Sequence, residues 1–102
     1  MQQLIKAYQI LSEHGAINLQ HQLTEQNFMA FARQFIEQQG WAESFNEQGA
    51  DWQVLGFYLE QQLWWWRYDL LSDSCWFECA NLSQFSASCA PLLVALEHAN
   101  LT

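Results

Sequence analysis

Cys75 and Cys79 stand four positions apart and are the first residues whose types and spacing suggest chemistry, because paired cysteines are common zinc ligands. The surrounding sequence predicts a strand, which puts both on one face rather than in the tight turn that zinc-binding pairs usually occupy. Only Cys89 and distant His98 remain to complete a tetrahedron. The pair therefore reads as buried small side chains, with no metal and no cofactor expected, and the odd count of three cysteines fits a reducing compartment. Cys89, His98 and Asp73 can be assembled on paper into nucleophile, base and orienting acid. None of them lies in a motif with a mechanical reason for activation. Glu43, Glu47, Asp51 and Glu60 show no spacing that separates an acid-base pair from solvated strand and turn positions, and His14 and His21 read as surface or strand-edge residues. Glycine occurs only at 15, 40, 49 and 56, so no phosphate-cradling loop is present. No catalytic residue is assigned, and the expectation is a protein that is not an enzyme.

Trp65 and Arg67 share a strand face and superficially suit base stacking. Eleven carboxylates against Lys6, Arg33 and Arg67 give a formal charge of -8, which argues against phosphate backbones as partners. Asp69 on the same face argues the same way, so Arg67 is expected to pair with a carboxylate across the sheet. The three consecutive tryptophans carry more information. Period-two alternation sends Trp64 and Trp66 to one face and Trp65 to the other. Trp64 and Trp66 are expected in a core with Phe28, Phe31 and Phe35. Trp65 marks a second aromatic face that is either covered within the chain or open to a partner.

The elements that must position these residues follow from periodicity. Leu4, Ile5, Tyr8 and Leu11 fall at helical spacing, with Gly15 as a stop, and predict a short N-terminal helix. Ala16 to Gln22 alternates as a strand, with Ile17, Leu19 and His21 on one side. Thr24 is placed to cap a helix from about residue 25 to 39, with Leu23 and Phe28 as a hydrophobic staple, Phe28, Phe31 and Phe35 in its stripe, and Gly40 ending it. Strands are expected at 41–47, 52–61, 63–70 and 74–80. A final helix starts at Ser88 or Ala90 around Pro91 and buries Leu92, Leu93, Leu96 and Ala99. The predicted fold is a single α+β domain over 1–102, in which an antiparallel meander of four to five strands has helices packed on it, in the order α-β-α-β-β-β-(β)-α. In the second strand of the meander Leu55, Phe57 and Leu59 share one face, leaving Trp52, Val54, Gly56 and Tyr58 on the other. Gly56 leaves room for a neighbouring tryptophan to lie across it.

Gly49-Ala50-Asp51-Trp52, the strand Leu63 to Tyr68, and Ser74-Cys75-Trp76-Phe77-Glu78 together resemble a family of short gammaproteobacterial proteins, domain of unknown function 3630. In that family a capped helix precedes a Gly-Ala-Asp turn, a meander and a Leu-rich C-terminal helix. The resemblance covers about residues 16 to 99, implies this element order and a bacterial cytoplasmic origin, and carries no catalytic residue across. No apolar run approaches a membrane span and the N-terminus lacks the pattern of a signal peptide, so a cytoplasmic location without membrane contact is expected. Function is then expected at a sheet face holding Trp65, Trp76, Tyr58, Trp52 and Arg67, where a protein partner or a second copy in a homodimer docks, the N-terminal helix contributing. Two alternatives stand beside this: an immunity- or inhibitor-type protein neutralising a basic toxin or nuclease, and a small-ligand binder or enzyme with an aromatic pocket between helix and sheet.

Overall fold

A computed structural model describes residues 4–101, the side chains of 99–101 excepted. Six strands, β1 (Ile5–Leu11), β2 (Ala16–His21), β3 (Ala42–Gln48), β4 (Trp52–Leu59), β5 (Gln62–Asp69) and β6 (Ser74–Cys79), form one antiparallel sheet in the order β1-β2-β6-β5-β4-β3. Helix α1 (Phe28–Gln38) links β2 to β3, and after β6 a 3-10 turn at Leu82–Gln84 leads into the short α2 (Phe85–Ser88) and α3 (Ala90–Leu101). The α+β class is as expected, whereas the four-to-five-strand meander is corrected to six strands. Strands β3 to β6 run as a meander, and β2 joins it by pairing with β6.

The expected N-terminal helix is instead the edge strand β1. Its register against β2 shifts between Ile5 and Ala7, so the residues on the core side are Ile5, Tyr8 and Ile10, facing His21, Leu19 and Ile17. A bulge of this kind inserts one residue and breaks the period of two, which leaves a spacing that imitates a helix. Gly15, expected as a helix stop, does adopt the left-handed conformation (φ 61°), but it closes the β1–β2 hairpin after a 3-10 turn at Ser12–His14.

Helix α1 starts three residues later than expected. Thr24 and Asn27 instead close a turn reciprocally: the Thr24 amide donates to Asn27 Oδ1 (2.7 Å) and the Asn27 amide to Thr24 Oγ1 (3.3 Å). Leu23 and Phe28, the expected staple, are both buried in the core. At the other end Gly40 (φ 77°) donates to Glu37 O and Trp41 to Ile36 O, the paired bonds of a Schellman stop, and the Trp41 ring lies 6.4 Å from Phe35.

The core lies between the helices and one face of the sheet. Trp66 sits at its centre against Phe35 (5.4 Å between ring centroids), Phe28 (5.9 Å), Phe31 (6.2 Å) and Phe77 (4.3 Å). Trp64 is equally buried but packs on Phe85 of α2, a helix not expected from the sequence. Helix α3 begins at Ala90, buries Leu92, Ala95 and Leu96, and reaches β1 through the Tyr8 hydroxyl, which donates to Glu97 Oε1 (3.0 Å). The expectation for Ala99 falls outside the described side chains.

Candidate functional site

Strand alternation divides the sheet into two unlike faces. Leu55, Phe57 and Leu59 of β4, Trp64, Trp66 and Tyr68 of β5, and Cys75, Phe77 and Cys79 of β6 point to the helices and are buried. The described helices pack on that side alone. Helix α1 meets β3 and β4 beside Trp66, α2 meets Trp64, and α3 meets β1 through Tyr8. The N-terminal helix expected to contribute to the opposite face does not do so, because that segment is a strand of the sheet itself.

The cross-strand register fixes what lies on the helix-free face. One row runs Glu47, Val54, Arg67, Trp76, Asn18, Gln9, and the next runs Phe45, Gly56, Trp65, Glu78, Ala16, Leu11. Trp52 faces Asp69 on one flank, and Tyr58 faces Leu63 on the other. The residues Trp52, Tyr58, Trp65, Arg67 and Trp76 thus share this face, with Trp52 and Tyr58 exposed and Trp65 and Trp76 half-buried. Phe45 joins them and was missed in the sequence reading. Its ring lies over Gly56, where a Cβ would come within 2.2 Å of it, so the aromatic across the glycine is Phe45 rather than a tryptophan. Alternation along 42–48 could have pointed to it, since Phe45 is the one large apolar residue of β3.

At the centre of the face one carboxylate oxygen holds two partners. Glu78 Oε1 accepts from Arg67 Nε (3.0 Å) and from the Trp76 indole Nε1–H (3.2 Å). The Arg67 guanidinium carbon lies 5.0 Å from the Trp65 ring centroid, within cation-π range. The expected cross-sheet carboxylate for Arg67 is Glu78. The resulting Trp65–Arg67–Glu78–Trp76 cluster is held in place, which lowers the rotamer entropy any contact here would have to overcome. Trp52 folds back over Gly49, whose Cβ would stand 2.3 Å from the indole nitrogen.

Cys75, Cys79, His21 and Glu43, weighed above for chemistry, each have a partner within the fold. Cys75 and Cys79 share the core face, where Cys75 Sγ accepts the Trp66 indole N–H (3.2 Å) and Cys79 Sγ donates to Asn81 O (3.1 Å). Burial pushes the Cys75 thiol up to about 12. Among the described residues no three His, Cys, Asp or Glu side chains converge on a metal position. His21 Nε2 lies 2.9 Å from Asp73 O, while its Nδ1 accepts from the Leu23 amide, a pairing that braces the start of the α1 segment. Glu43, weighed as an acid-base candidate, is gripped by both arms of Arg33 and lies below the usual carboxylate range for that reason. A shallow cleft between Glu25, Asp51, Trp52, Gln53 and Tyr68 holds about 20 Å³, room for roughly one water. No helix among the described residues is long and apolar enough to cross a membrane.

A six-stranded sheet whose described helices cover one face defines a two-layer α+β protein. The family model described as "Protein of unknown function (DUF3630)" matches residues 5–98, and the chain belongs to that family. No curated protein and no solved structure matches it.

Proposed function

We propose that this chain is a non-enzymatic interaction module that docks a protein partner on the helix-free face of its sheet. One observation carries the proposal: the described helices lie on one side, leaving Phe45, Trp52, Tyr58, Trp65 and Trp76 together on the other. Trp, Tyr and Arg dominate the energetic centres of protein interfaces. The face also has a suitable size. Six strands about 4.8 Å apart, with about seven residues each at about 3.4 Å, span a projected area on the order of 500 Å² before side-chain relief, comparable to one side of a modest interface. The described cleft beside Trp52 gives the small-ligand alternative no support, since it accommodates about one water.

The test separates docking from folding. Native complexes of the tagged full chain are sized by gel filtration for the wild type and for Trp65→Ser and Trp76→Ser. Docking on this face predicts that each variant loses the complex while its urea midpoint shifts by no more than about 1 kcal/mol of stability. A strict monomer whose variants keep their stability and lose no partner overturns the proposal.

A further inference from the structure

We infer that the occupant of this face is a basic protein segment, an extended stretch or helix with an apolar stripe flanked by Lys or Arg, and not a second copy of the chain; the inference rests on the docking reading above. Its basis is the distribution of charge around the aromatic centre. Arg67 is the only cation in the two central rows and is already paired with Glu78. Glu47 stands exposed at the β3 end of the row that contains Arg67. Asp69 lies beside Trp52 and directs its oxygens to the Leu71 amide and the Ser72 hydroxyl, both of them neutral donors. Asp51 and Glu60 occupy the turns at the two ends of β4. The centre is thus charge-balanced, and the surround carries carboxylates that have no ion pair among the described residues.

A second copy would bring the same carboxylates against themselves and add another formal charge of -8. A segment with an apolar middle and basic flanks matches both parts of the pattern. Its apolar side chains would lie on Trp65, Trp76 and Tyr58, and its cations would meet Glu47 and Asp69 at the rim. Such rim charges act mainly on association rate and salt dependence.

The probe is a capped peptide of alternating Lys and Leu, extended with Leu on one side, set against a Glu-Leu twin and followed by tryptophan fluorescence of the full chain. The Lys-Leu peptide is expected to bind, to weaken about ten-fold between about 20 and 300 mM salt, and to lose about ten-fold with Trp76→Ser or with Glu47→Lys/Asp69→Asn. Asp69→Asn keeps an acceptor for the turn. Glu13→Gln/Glu37→Lys makes the same change in net charge away from the face and is expected to leave the affinity within about two-fold. No binding of the Lys-Leu peptide, or equal binding of the Glu-Leu twin, overturns the inference. A dimer in sedimentation that Trp76→Ser dissolves overturns it while leaving the docking reading intact. Binding that Trp76→Ser does not alter, or that the remote variant weakens as much as the face variant, removes both.

Discussion

Cys75 carries a pH dependence that its surroundings impose. The side chain is fully buried, and loss of hydration pushes the thiol from an ordinary 9.0 up to about 12, the Trp66 N–H bond offsetting this only in part. The unfolded chain therefore gives up the proton first. The stability tied to this group is intact below about pH 9 and is lost progressively as pH rises from there towards about 12, with a slope on the order of 1.4 kcal/mol per pH unit. Cys75→Ala removes the titration. It should be less stable at neutral pH, because the Trp66 N–H loses its acceptor, yet show a flatter decline in urea unfolding between about pH 8.5 and 10.5. Parallel curves for the two proteins would show that Cys75 does not govern this window. At this scale much was legible in advance. The opposite facing of Trp65 and its two neighbours follows from strand geometry alone, as does a cross-strand carboxylate for Arg67. The identity of that carboxylate was not legible, because Glu78 is chosen by the β5–β6 register, and register is set by turn geometry at Leu70–Asp73 rather than by either strand's own pattern.

Among the elements, β1 is a strand whose sequence imitates a helix, and its register against β2 is irregular. Helical spacing of Leu4, Ile5, Tyr8 and Leu11 is an accident of the bulge between Ile5 and Ala7, and a single sequence offers no signal that distinguishes the two. Helix α1 and its stop were readable because local chemistry sets them: a left-handed glycine with a hydrophobic pair across it needs no tertiary information. Helix α2 was not, since Phe85 is drawn in by Trp64 from a distant strand. The same dependence on distant partners gives a prediction for β3. Its residues are mostly exposed and polar, so its hold on the sheet comes from the backbone ladder to β4 and from Phe45 lying across Gly56. Phe45→Ala should cost about 1 kcal/mol and raise amide exchange in 42–48 more than in β5 or β6. Gly56→Ala should do the same by forcing the ring off its seat, and the double variant should cost less than the sum of the two. Additive losses would mean that the ring does not anchor the strand.

For the whole molecule the governing quantity is net charge. Eleven carboxylates oppose three fixed cations on a body whose extents are 32 × 32 × 25 Å, and two of those cations are bound in partly exposed pairs, Arg33 with Glu43 and Arg67 with Glu78. Such pairs contribute little, so salt has little to weaken there. It has more to relieve in the repulsion among the remaining carboxylates, because the screening length falls from about 30 Å at 0.01 M to about 8 Å at 0.15 M, from the width of the molecule to a fraction of it. Thermal unfolding in that range should therefore shift upward with added sodium chloride, by on the order of 1 kcal/mol or less, whereas a fold held mainly by its ion pairs would shift downward. The sign also bears on the docking face. Salt that stabilises the free chain should weaken its hold on a basic segment, so one titration, followed by unfolding and by peptide affinity, should move the two readouts in opposite directions. If both rise together, the apolar centre of the face governs binding and the acidic rim does not contribute.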